Sequence, residues 1–274
     1  MIDTKLPINP IEIYDRYLGV KNEEKSAVRD RENFEKYSAS SAGLCIRKHW
    51  YDYNNYSKAL SDIPGVRRMR LGTIMGEDFD DAMKWWANNE LEAGVPYDNE
   101  ILNIEYFIEK AVSHKELNLN GHFDLLIVVT KQDGPNLIKL GYLFDYKTSN
   151  TWKFRTIFGK KPDLYPSNNY EFQLGTYGFM IQESKELCDK IVYMANIYIN
   201  KDNSEIKHKE APLEYMGHAR NYWEIINKYQ KKDVPPAFSL GASGRAPYMK
   251  WECTGTYCAF RNHCDSPYKN KEIK

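Results

Sequence analysis

The chain has no net charge: 38 lysines and arginines balance 38 aspartates and glutamates over 274 residues. No global positive field exists to draw in a polyanion, so any nucleic-acid contact has to come from a local basic patch. No apolar run approaches the roughly 18 residues of a membrane helix, and no membrane span is expected. Met1-Ile-Asp-Thr-Lys5 opens no charged-then-apolar leader. No Gly-x-x-x-x-Gly-Lys-Ser/Thr loop is present, which argues against a built-in ATP motor. Internal repeats and low-complexity tracts are missing too. Cysteine is scarce and odd in number, at five. Without an export signal thiols stay reduced, and clustered ones then point to a metal rather than to disulfides. The expectation is a cytoplasmic protein.

What is present is ordinary for a globular chain: 42% hydrophobic residues, 28% charged and 14% aromatic. That is enough for one large core. The region up to about Pro64 reads as helical, with Tyr37-Ser-Ala-Ser-Ser41 offering N-cap residues. Leu71, Ile74, Met75, Phe79, Met83 and Trp86 recur at helical spacing and predict a helix from about Arg68 to Leu91. Three strand-like segments follow, at Ile101–Ile108, His122–Thr130 and Leu137–Tyr146, the last two separated by the turn signal Gln132-Asp-Gly-Pro135. A loop carrying Pro162 and Pro166 leads to a helix over Asn168–Glu183. A strand over Lys190–Asn200 and a helix over Leu213–Lys231 complete the pattern. The order helix, three strands, helix, strand predicts an antiparallel meander joined by a parallel strand, a mixed α/β sheet with helices on its faces.

Residues two apart on a strand share a face. Asp145 and Lys147 therefore project together, away from Tyr146. If the strand that begins at Gly121-His-Phe-Asp124 is the antiparallel neighbour, Asp124 lies beside Asp145. Two adjoining carboxylates repel unless a cation separates them, and hard oxygen donors select Mg²⁺ or Mn²⁺. Such an ion polarises a phosphoryl oxygen and acidifies a bound water. The acid-x-lysine pattern alone is weak, and recurs at Asp3-Thr-Lys5, Glu23-Glu-Lys25 and Glu183-Ser-Lys185 as ordinary surface. Only the copy at Asp145-Tyr-Lys147 ends an apolar strand.

These residues resemble the PD-(D/E)xK nuclease superfamily in its RecB-like exonuclease branch. The match covers the order of elements, the strand at Gly121–Asp124, Asp145-Tyr-Lys147, and Gln173 and Tyr177 on the next helix. The resemblance implies a restriction-endonuclease-like fold. It makes Asp124, Asp145 and the Tyr146 carbonyl metal ligands and Lys147 the catalytic lysine. Gln173 and Tyr177 would position the site or touch DNA. The branch often carries Gly-x-x-x-His on its first core helix. Here the stretch is Gly72-Thr-Ile-Met-Gly76, and Glu77 is either a substitute ligand or an exposed helix carboxylate.

Cys253, Cys258 and Cys264 form a compact group in the tail, and Cys45 lies far upstream. One cysteine before the core and three after it is similar to the arrangement in the iron–sulfur members of that branch, AddB nuclease domains and CRISPR-adaptation nucleases. There a 4Fe-4S cluster ties the two ends together, although four residues separate Cys253 from Cys258 where two are usual. Zinc is the alternative at four thiolates, and free buried thiols are the plain one. Cys188 is assigned to that last class. The expected division is a helical N-terminal region over 1–66, a nuclease core over 67–232 and a cysteine-rich tail over 233–274.

The reading is a metal-dependent DNA exonuclease of recombination, repair or related processing. Its substrate would be a single strand or a duplex end, and a helicase, annealing protein or integrase would be a separate chain. Arg67, Arg68 and Arg70 are either a phosphate patch or a solvated helix start. The rivals are a non-catalytic DNA-binding or scaffolding member, an endonuclease, and a zinc-stapled protein acting on RNA.

Overall fold

A computed structural model describes residues 16, 20, 37–59, 63–93, 101–159, 168–241, 250–253 and 258–267. Its centre is a six-stranded mixed sheet. Strand β1 (Tyr37–Ser38) pairs in parallel with the start of β3. Helix α1 (Ile46–Tyr53) and the long helix α2 (Ile63–Ala93) follow. Strands β2 (Ile101–His114), β3 (Leu119–Asp133) and β4 (Asn136–Ser149) make the expected antiparallel meander. Gly134, at φ +58°, allows the tight turn between Asp133 and Asn136. After α3 (Thr151–Phe158) and α4 (Asn169–Ser184) comes β5 (Lys190–Asn200), which joins β4 in parallel. The edge strand β6 (Ile206–Glu210) and α5 (Tyr215–Gln230) end the core.

Three local expectations are corrected. Tyr37-Ser38 is a strand, because the Tyr37 amide donates to the Asn118 carbonyl at 2.7 Å, and Ser38 stands at the N-cap of only a short 3-10 turn, Ala39–Ser41. Helix α1 starts later, with Cys45 at its N-cap. Helix α3 and strand β6 had no sequence signal strong enough to be expected. Asn150 starts α3 by accepting a hydrogen bond from the Lys153 amide at 2.9 Å. Strand β6, Ile-Lys-His-Lys-Glu, carries the charge typical of a protected sheet edge.

The core lies between the sheet and α4, which is buried without a break from Glu171 to Ile181. Helix α5 packs on the outer side of α4. A Cβ on Gly175 would collide with the Tyr215 backbone, so glycine sets how closely the two helices approach. Phe172, Leu174, Met180, Tyr222 and Trp223 fill the interface with Phe123, Leu126 and Leu143 of the sheet. The buried Trp223 indole donates to Thr176 Oγ1 at 2.9 Å. On the opposite face of the sheet runs α2, with Phe79 against the Tyr146 ring at 4.9 Å and Trp86 Nε1 donating to the Tyr106 hydroxyl at 3.1 Å. The sheet is thus flanked by helices on both faces.

The tail returns to α1 through a second small core of Trp50, Tyr51, Cys258 and Phe260. Arg47 donates to Asp265 at 2.6 Å and to the Pro236 carbonyl at 3.1 Å. The Ala59 amide donates to the Ala259 carbonyl at 2.8 Å. Packing and hydrogen bonds therefore join the two ends. Among the described residues no helix is long and apolar enough to cross a membrane.

Candidate active site

Strands β3 and β4 pair as far as Leu125 and Phe144 and then separate. Beyond that point β4 pairs with β5 only, and the start of β3 pairs with β1. Asp124 and Asp145 stand where the strands part. The split leaves the Tyr146 amide without a ladder partner, and Asp124 Oδ2 accepts from it at 2.6 Å. Opposite Asp124, β2 is interrupted by Glu109 at φ +47°, a left-handed residue that is not glycine. Core burial along β3 shifts across the same point, from Phe123 to Leu126 and Val128. The pleat reverses locally, as strands do where a side chain is re-aimed.

Asp145 is 1% exposed. Gln173 Nε2 donates to its Oδ1 at 3.1 Å, Lys147 forms an ion pair with its Oδ2, and Lys147 Nζ donates to Gln173 Oε1 at 3.0 Å. The three side chains close a triangle between β4 and α4. Lys147 also lies over the Tyr170 ring, 4.8 Å from its centre. One turn beyond Gln173 is Tyr177, and a Cβ on Gly121 would lie 2.9 Å from its ring. The glycine of Gly121-His-Phe-Asp124 is therefore where the strand admits the tyrosine. Gly121→Ala should overpack this contact, costing about 1–3 kcal/mol. Chemical denaturation should show that loss with weakened Tyr177 packing, and unchanged stability would mean the contact is slack.

Electrostatics set the character of the site. Burial, and then the neighbouring Asp145 charge, push the Asp124 carboxyl up to about 8 against the pull of Lys147 and the Tyr146 amide. Asp145 is raised as well, again chiefly by burial, with Lys147 opposing. Burial would lower the Lys147 ammonium, but Asp145 and Asp124 outweigh it and its pKa is raised. Without a metal the Asp124 carboxyl therefore keeps a proton near neutral pH, and a divalent cation would favour its ionised form beside Asp145. No third His, Cys, Asp or Glu completes a ready cage with them among the described residues. Mg²⁺ suits such a pair, because it binds through one or two carboxylates and keeps several waters.

The structure does not bring Glu77 to this pair. Its side chain is 57% exposed and it pairs with Arg70 at 3.4 Å, because position 77 lies on the outer side of α2. The glycine at the expected histidine position, Gly76, faces open space, with nothing within 4 Å of an added Cβ. One turn further on, Asp80 is buried with its Oδ1 unpaired, and burial followed by Glu109 pushes it up to about 6. Asp80 and Glu109 are the acidic neighbours that sequence reasoning missed. Asp80 was legible as the next residue on the stripe of Gly72 and Gly76. Glu109 required the strand register.

The four cysteines Cys45, Cys253, Cys258 and Cys264, none in a disulfide, line one cavity with Arg47, Lys48, Tyr51, Phe238 and Glu252. Burial raises the Cys253 thiol, Ser266 opposes, and Cys258 and Cys264 raise it further. The donor set fits a soft metal or cluster, and two cations stand by to balance thiolates. The thiols are gathered but not drawn in to ligating positions, since no three such donors form a metal-holding group among the described residues. This arrangement does not by itself show the metal staple expected from the sequence. Cys188 lies apart in the main core with its thiol pushed up to about 11 by burial, as an inert structural cysteine should be.

The sequence profile of the PD-(D/E)XK nuclease superfamily matches residues 58–265, most of the chain, and the chain belongs to that superfamily. The crystal structure of SSO0001 is similar at 17% identity and a TM-score of 0.49, over 95% of this chain and 98% of that one. No curated protein matches.

Proposed function

We propose that this PD-(D/E)XK nuclease is a metal-dependent DNA exonuclease, with Asp124 and Asp145 as ligands of Mg²⁺ or Mn²⁺ and Lys147 as its catalytic cation. The observation that carries the reading is the triangle of Asp145, Lys147 and Gln173 beside Asp124, at the point where β3 and β4 part. A divalent ion held by the two carboxylates supplies Lewis-acid stabilisation of a phosphoryl oxygen and an acidified water. Lys147 stays protonated at neutral pH because its two carboxylates outweigh burial. It therefore acts as a charge and a donor to the phosphate, not as the base. Gln173 fixes Lys147 and Asp145 at once, and Tyr177 walls the site from the core. The Tyr146 carbonyl would complete the protein's contribution.

The substrate would be a DNA strand end, single-stranded or at a duplex terminus, and recombination or repair the setting. Any helicase, annealing protein or integrase would act as a separate chain, with the protein working in the cytoplasm. We place a 4Fe-4S cluster on Cys45, Cys253, Cys258 and Cys264, with zinc as the alternative. The shared cavity supports this, and the role would be to lock a tail that already docks on α1.

The test is anaerobically purified protein on end-labelled linear and closed circular DNA with Mg²⁺ or Mn²⁺, beside Asp145→Ala. Cleavage of the linear form only, falling by roughly 10²- to 10⁴-fold in the variant, is the expected result. Cutting of circles would make it an endonuclease. No cleavage by folded wild type would leave a DNA-binding role. Iron, sulfide and zinc analysis of the same sample decides the cysteine site.

A further inference from the structure

Strand β5 reads Lys190-Ile-Val-Tyr-Met-Ala-Asn-Ile-Tyr-Ile-Asn200, and Asn196 is the one amide inside an apolar and aromatic run. It is 0% exposed, and among the described residues neither its Nδ2 nor its Oδ1 has a hydrogen-bond partner. An unpaired buried amide costs stability that an apolar residue of the same size would not. The structure therefore carries an expense at this position that packing does not explain.

The register gives the reason. Asn196 is the direct parallel partner of Asp145. Partners across neighbouring strands point to one face with their backbones about 4.8 Å apart, which sets the amide beside the carboxylate. The oxygens of Asp145 are already engaged, Oδ1 by Gln173 and Oδ2 by Lys147. On turning toward a phosphate, Lys147 would loosen its pair with Oδ2. Oδ2, on a residue only 1% exposed, would then need another donor.

We propose that Asn196 is a positioning residue for Asp145, its Nδ2 taking over Oδ2 as Lys147 leaves and holding the carboxylate in its metal-binding orientation. This rests on the nuclease reading above. In the resting arrangement Lys147 pairs with Oδ2, and the Asn196 amide makes no hydrogen bond among the described residues.

The test is Asn196→Leu, close in size and without polar atoms, read by thermal unfolding without metal, Mn²⁺ calorimetry, and cleavage kcat and KM. The expected result is a Tm equal to or above wild type, with Mn²⁺ affinity and kcat each reduced about 10- to 100-fold and KM for DNA little changed. A lowered Tm with wild-type Mn²⁺ affinity would make Asn196 structural and overturn the proposal. So would a raised Tm with unchanged affinity and kcat. If the leucine variant does not fold, Asn196→Ala, which cannot overpack, must show the same losses of affinity and kcat; wild-type values in it sink the idea. Should wild type cleave nothing, the nuclease reading fails, and the Mn²⁺ comparison still decides what Asn196 does for Asp145.

Discussion

Lys147→Met will abolish most cleavage while leaving divalent-metal binding intact. The variant keeps an unbranched stem of similar length, so the change removes a charge more than it removes packing. Among the described residues, Lys147 Nζ is the cation that lowers the pKa of both Asp145 and Asp124. On the function proposed above, its loss takes away the charge offered to the phosphate, a deficit of roughly 10²- to 10⁴-fold in kcat. It also leaves the buried Asp145 carboxylate uncompensated, which costs about 3–5 kcal/mol in the metal-free protein unless the carboxyl takes up a proton. Mg²⁺ has less competition at the two carboxylates in this variant, and calorimetry should show affinity equal to or tighter than wild type. Asp145→Ala must differ, losing metal affinity and cleavage together. If Lys147→Met loses metal binding as severely as Asp145→Ala, the division between ligands and cation is wrong.

The legible parts of this chain were those with strong local periodicity or an apolar run. The meander from Ile101 to Ser149, the parallel return at Lys190 and the helix carrying Gln173 and Tyr177 are each readable from side-chain pattern alone. Their ends were not. Strand β2 runs to His114 and β4 to Ser149, because pairing with neighbours continues past the last apolar residue. Tyr37-Ser38 became a strand through pairing with β3, at residues 119 and 120, which no local signal announces. The triangle of Asp145, Lys147 and Gln173 joins residues 26 to 28 positions apart. Acid-x-lysine and helix spacing made its members candidates, but only the fold shows that one glutamine grips both. Glu77 illustrates the opposite case: adjacent to the expected position in sequence, it is rotated by the helix onto the outer face, while Asp80 is carried inward. Asn196 was visible as a polar residue in an apolar strand, yet its meaning depended on knowing that Asp145 is its partner.

Removing divalent metal will make stability fall as pH rises from about 5 to 8, and restoring the metal will flatten that dependence. Asp124 titrates near 8 in the folded protein, raised by burial and by Asp145, against about 3.9 in an unfolded chain. Between those values the folded state holds a proton that the unfolded state has released. Stability is therefore fully present below the unfolded pKa and is lost as pH rises through the folded one, at up to about 1.4 kcal/mol per pH unit. Asp145 is shifted in the same direction and adds to the slope. A bound Mg²⁺ or Mn²⁺ favours the ionised carboxylates and so cancels the penalty where it is largest. Thermal unfolding in chelator should show Tm dropping toward pH 8, with the gain on adding Mg²⁺ greater at pH 8 than at pH 5. Asp124→Asn should remove most of the slope in chelator, because a neutral amide has no proton to lose. A metal-free protein whose Tm is flat or rising over that range would mean that the two carboxylates do not repel, and the physical case for a cation between them would fall with it.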